Sequence, residues 1–158
     1  MNNEDSFNTE LKPENGSQDL SAGTILNTFN VPGDRDLRTF NPLVLAHVGD
    51  AVYELIIRTI LAEKMDTQVQ DIHKKCTELV NCHAQCELLH KIEERLTEEE
   101  LAVFKRGRNT KAHTMPKNAA PYEYRTSTGF EALCGWLYLS GKTYRLYELL
   151  RSELDIKE

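Results

Sequence analysis

Long apolar runs free of charge are missing from this chain. No stretch clearly reaches the roughly 20 residues a membrane-spanning helix needs, so a soluble protein with no membrane partner is the expectation. The first ten residues, MNNEDSFNTE, are acidic and polar, with no apolar core behind a basic start. That argues against a secretory signal or a transit peptide. Cysteine is sparse, and Cys76, Cys82, Cys86 and Cys134 are not spaced like a small secreted disulfide framework; a reducing, cytoplasmic setting is expected. There is no strand-period alternation beyond a few residues and no internal repeat. No phosphate-binding glycine loop, dinucleotide fingerprint, nucleophile elbow or Cys/His hydrolase pattern occurs either.

What remains is helical. The 158 residues, 40% of them hydrophobic, suffice for one all-α domain with a tail. Residues 1–38 are rich in Asn, Ser, Glu, Asp, Thr and Gly and are read as a disordered acidic/polar tail; residues 39–158 are read as the folded domain. Asn41 as N-cap and Pro42 at the first helical position open a helix expected over 42–64. A second long helix is expected over 67–94, with Ile72, Cys76, Leu79, Val80, His83, Cys86 and Leu89 on one face. Thr97 and Glu100 form a capping box for a third, expected to stop near Arg106–Gly107 with the glycine just past its end. A long loop is expected over 107–126, then a helix capped by Ser127 or Thr128, and last an amphipathic helix around LYELLRSEL. Cys82, Cys86 and His90 follow one another at i+4 steps, but they lack the fourth ligand and tight spacing of a zinc site, so packing is the favoured reading.

Two apolar helices carry isolated acids. In PLVLAHVGDAVYELIIRTILA the strongly polar residues His47, Asp50, Glu54 and Arg58 fall in one stripe, and the remaining faces are greasy enough to bury most of the helix. In STGFEALCGWLYLS, Glu131 is the only charge. A carboxylate on a buried helix needs a compensating partner. Two such acids at similar depth suit an oxygen-ligated divalent ion, the alternative being a surface edge that happens to carry both. His47 is read as a packing or interface residue. The net charge of -6 hides a local reversal: residues 105–125 hold Lys105, Arg106, Arg108, Lys111, Lys117 and Arg125 against one acid, Glu123. That is either a phosphate-binding patch or a solvated basic loop.

The segments HVGDAVYE and TGFEALCGWLYLS resemble the two signature helices of the ribonuclease III family, and the basic run FKRGRNTKAHTMPKN resembles an RNA-contacting loop of its minimal branch, Mini-ribonuclease III. That branch has no appended double-stranded-RNA-binding domain. The resemblance covers residues 40 to about 152. It implies an all-helical homodimer that cleaves double-stranded RNA with magnesium, leaving a 5′-phosphate and a 3′-hydroxyl, and for this branch a precursor 23S ribosomal RNA substrate. By the resemblance Asp50 and Glu131 would be the catalytic metal ligands. Glu54 could add a third carboxylate and Thr128 could orient a water; Arg106, Arg108, Asn109, Lys111 and Lys117 would meet RNA phosphates. Leu43 and Ala46 stand where full-length members carry acids, Thr128 where they carry an aspartate, and His47 where relatives place a bulky aromatic against the partner subunit. The rival expectation is an RNA- or ribosome-binding protein that kept these helices and lost catalysis.

Overall fold

A computed structural model describes residues 19–111 and 114–154. Among them the regular structure is helical, in the order α1 (Ala22–Thr28), α2 (Pro42–Lys64), α3 (Val69–Val80), α4 (Cys82–Ile92), α5 (Glu98–Asn109), α6 (Pro121–Leu139) and α7 (Thr143–Arg151), with two short 3₁₀ turns. The centre is α6, whose residues 126–130 and 132–137 are all buried. Helix α2 packs most extensively against it, followed by α5 and α4. Tyr53, Ile57 and Leu61 of α2 meet Phe130, Leu133 and Leu137 of α6 in one core with Leu89, Phe104, Leu146 and Leu149. Tyr53 and Phe130 meet edge to face at 5.1 Å, and the Tyr53 hydroxyl donates to the Leu79 carbonyl at 3.2 Å.

The caps act as the sequence indicates. Asn41 accepts from the Leu43 amide at 2.9 Å, with Pro42 at the start of α2. The Thr97–Glu100 capping box is complete. Glu100 is 3% exposed, and Arg145 of α7 donates to it at 2.8 Å. That bond and the capping amide hold its carboxyl below the usual carboxylate range, against the opposing effect of burial.

Several expectations need correction. The helix expected over 67–94 is two helices, α3 and α4, meeting at Asn81. The Asn81 side chain accepts from the Ala84 amide at 2.9 Å and donates to the Thr77 and Glu78 carbonyls, so one residue ends α3 and starts α4. Helix α5 does not stop at Gly107 but runs to Asn109, and Gly107 lies inside it facing Ala132 and Gly129. Ser127 and Thr128 are not caps: α6 starts at Pro121, and both hydroxyls donate back to the Tyr124 carbonyl within it. The loop expected over 107–126 therefore contracts to residues 110–120. Finally, α2 is not buried around most of its girth; Val44 and Leu55 are 47% and 48% exposed.

Part of the segment read as a tail is also structured. Ser21 caps α1, and the Tyr138 hydroxyl donates to the Leu20 carbonyl at 3.0 Å, tying this stretch to α6. Residues 1–18 of that segment lie outside the described residues.

Candidate active site

Asp50 and Glu131 come together because α2 and α6 cross with almost no side chain between them. At the crossing Gly49 faces Gly135. A Cβ on Gly49 would sit 2.6 Å from the Gly135 amide nitrogen and 2.7 Å from the Glu131 carbonyl carbon, with the Glu131 carbonyl oxygen closer still. A Cβ on Gly135 would sit 2.8 Å from the Leu45 carbonyl carbon. Only glycine permits this backbone approach. Asp50 is next in sequence to Gly49, and the Glu131 backbone itself forms part of the crossing, so this one feature sets both acids.

Their environments differ. Asp50 is exposed, whereas Glu131 is half-buried. Burial, and after it the charge of Asp50, push the Glu131 carboxyl up to about 8, while the Gln85 amide pulls it the other way. No basic side chain is among the groups acting on Glu131. Two acids are thus pressed together with no protein cation between them, the condition a divalent ion relieves. Among the described residues there is no cluster of three or more His, Cys, Asp or Glu placed to hold an ion. The protein's share of such a site is two carboxylates, and water and phosphate oxygens would complete it.

The other expected site residues divide. Glu54, half-buried, is held by Arg58 one turn along α2 through a short ion pair and a 3.0 Å bond from Arg58 Nε, and is not among the groups acting on Glu131. Thr128, 7% exposed, is one turn before Glu131 and donates to the Tyr124 carbonyl at 2.9 Å. Its side borders a cleft of about 740 Å³ lined also by Arg108, Lys111, Tyr122, Tyr124 and Arg125. The cleft opens beside α6, between the end of α5, the 110–120 connection and the start of α6. Asn109 lines it too, while Lys117 is exposed on the connection. Arg106 is turned elsewhere: its Nη2 donates to the Phe40 carbonyl at 3.1 Å and the Arg38 carbonyl at 3.3 Å, strapping the segment before α2.

Two features are not evident from sequence. Tyr122 and Arg125 line the cleft, although in the sequence Arg125 is only one member of a charge run. Gln85 is 0% exposed beside Glu131. Its one sequence signal is position: it stands four residues before Leu89 and seven before Ile92, on the apolar face of α4.

Comparison with known proteins places this chain in a family. The Ribonuclease III domain family matches residues 43–142. A Mini-ribonuclease 3 from Clostridium tetani is 47% identical over 125 residues, covering 78% of this chain and 83% of that protein. Another from Symbiobacterium thermophilum is 47% identical over 120 residues, covering 76% of this chain and 92% of that protein. A crystal structure of a protein from Fusobacterium nucleatum superposes with a TM-score of 0.69 at 30% identity, covering 75% of this chain and 95% of that one. With two signature helices crossing at paired glycines, and family similarity across both, this chain belongs to the ribonuclease III family, in its Mini-ribonuclease 3 branch, and is an endoribonuclease of double-stranded RNA.

Proposed function

We propose that Asp50 and Glu131 are the catalytic ligands of magnesium, and that the chain works as a cytoplasmic homodimer maturing precursor 23S ribosomal RNA. The observation that carries the ligand assignment is a buried Glu131 beside Asp50: burial, and after it the charge of Asp50, hold the Glu131 carboxyl up to about 8, with no basic side chain among the groups acting on it. Bound there, the ion would supply Lewis-acid stabilisation of phosphate charge and ease deprotonation of the attacking water. The chain's own residues do the rest. Asp50 and Glu131 stand beside the crossing of α2 and α6, and Thr128, one turn before Glu131, lines the basic cleft. Water adds to phosphorus as the 3′-oxygen leaves, giving a 5′-phosphate and a 3′-hydroxyl.

An RNA duplex buries its base edges in a deep, narrow groove, so recognition runs through phosphates, 2′-hydroxyls and shape. Arg108, Asn109 and Lys111 in the cleft, with exposed Lys117, suit that role. Arg106 would join with the part of its fork not turned to carbonyls. Glu54 would act on the ligands only by releasing Arg58. The dimer is supported by α2, which leaves Val44, His47, Ala51 and Leu55 exposed along one face, an apolar strip a second copy would cover. The ribosomal substrate is supported by the resemblance to the minimal branch.

The test is cleavage of a generic RNA duplex with and without magnesium by wild type and Asp50→Asn. Cleavage by wild type only with magnesium, and none by a variant that still binds the duplex, is the expected result. Near wild-type cleavage by Asp50→Asn refutes the assignment, and metal-free cleavage refutes the cofactor.

A further inference from the structure

Among the described residues, one buried side chain stands apart in its hydrogen bonding. Gln85 of α4 is 0% exposed, and neither its Nε2 nor its Oε1 completes a hydrogen bond. Other buried polar side chains are provided for: Glu100 by Arg145, Ser127 and Thr128 by the Tyr124 carbonyl. An unpaired buried amide loses its hydration without return, which is why such groups are rare and each calls for a physical reason. Gln85 lies beside the carboxyl of Glu131, which it favours in its charged form. Helix α4, which carries Gln85, packs against α6, which carries Glu131.

We infer that Gln85 is a positioning residue for Glu131: its Nε2–H donates to the carboxylate from the buried side and keeps the other oxygen turned toward Asp50. This rests on the assignment of Asp50 and Glu131 as cation ligands. Glutamine meets a need of this site. Among the described residues no third acid joins the pair, so two carboxylates carry the site and a mis-set Glu131 has no substitute. A neutral donor holds the carboxylate without adding a positive charge that would compete with the ion, as lysine or arginine would. It also explains why an amide rather than leucine or methionine occupies a fully buried place on an apolar face.

The test uses the full chain, purified free of divalent cations. Gln85→Met keeps the length of the side chain and removes both polar atoms. If Gln85 were only packing, this change would leave magnesium binding and turnover as in wild type, with equal or higher melting temperature because an unpaired amide is gone. The expected result differs. The variant melts at or above wild type, yet calorimetric titration with magnesium chloride shows affinity weakened about ten- to a hundredfold, the range for losing a group that orients a metal ligand. At fixed magnesium kcat on duplex RNA falls while KM holds, since Gln85 lies outside the RNA-facing cleft. Gln85→Leu, with a shorter, branched side chain, is measured in parallel so that a misfolded methionine variant does not decide the matter. A folded variant with wild-type magnesium affinity and kcat overturns the inference. Asp50→Asn titrated alongside separates the two claims: if it loses magnesium affinity and the Gln85 variants do not, only the inference about Gln85 falls; if it too binds as wild type, the ligand assignment falls and takes the inference with it.

Discussion

The paired glycines make the sharpest prediction, because the same substitution has opposite signs under two accounts. An exposed or loosely packed glycine inside a helix gains about 0.8–1 kcal/mol on replacement by alanine. Gly49 lies inside α2, so propensity alone predicts that Gly49→Ala stabilises. The structure predicts the reverse. The new Cβ would meet the Gly135 amide nitrogen at 2.6 Å and the Glu131 carbonyl carbon at 2.7 Å, where ordinary van der Waals separation begins at 3.4 Å. Those atoms are backbone and have no rotamer to change, so α2 and α6 must part by about 1 Å, a gap that forfeits a quarter to a half of the dispersion well between each pair of facing atoms. Overpacked cores lose typically 1–3 kcal/mol. With backbone on both sides of the most extensive helix pair, a loss of about 3 kcal/mol is expected, and at roughly 2–4 °C per kcal/mol for a chain this size the melting temperature drops by about 6–12 °C. Asp50 moves with the helix, so cleavage of duplex RNA falls beyond what unfolding explains. Thermal melting by circular dichroism and a cleavage assay below the transition check both. A variant that melts at or above wild type refutes the close crossing and the reasoning built on it.

Other consequences follow from the site. In metal-free protein, Glu131 carries its proton to about 8, against an ordinary 4.5; the folded state then binds more protons than the unfolded one between those values. The stabilisation is present below the lower value and is lost as pH rises toward the upper, at up to about 1.4 kcal/mol per pH unit. Melting temperature should fall across that window in wild type and stay flatter in Glu131→Gln, by differential scanning fluorimetry in EDTA; a parallel decline in both would remove Glu131 as the cause. Replacing Arg108, Lys111 and Lys117 together by Gln should weaken duplex RNA binding and flatten its dependence on salt. On the scale set by duplex DNA, the log–log slope should drop by roughly 0.9 for each phosphate no longer neutralised. An unchanged slope in a filter-binding titration would move the RNA surface away from this cleft.

What is legible from sequence is whatever is local. The Asn41–Pro42 start of α2 and the Thr97–Glu100 box use side chains that bond amides a few residues on, so their signatures survive without the fold. The two acids stand out because each is alone among apolar neighbours. The features that sequence misplaces depend on competing local signals or on packing between elements. The apolar stripe across residues 72–89 runs through Asn81 without a phase error, and only the double capping by that side chain breaks the helix. The polar stretch YEYRT resembles a loop, though Pro121 at its head is a helix starter. Gly107 has the look of a terminator because its reason, the close approach of α6, lies 22 residues and more away in sequence. Asp50 reads as buried because its helix is greasy on most faces, yet the single chain leaves that side of α2 open. Gln85 is invisible as a site residue, since nothing in the string NCHAQCELLH tells that its amide ends beside Glu131.

Proton release on cation binding tests the pairing of Asp50 and Glu131 most directly. At pH 7 a carboxyl held near 8 is almost wholly protonated, and a ligand must shed its proton to bind a metal. Magnesium titrations by calorimetry in two buffers of different ionisation heat should report close to one proton released per ion in wild type, and almost none in Glu131→Gln. Magnesium binding without proton release, or release that is unchanged in Glu131→Gln, would contradict the account.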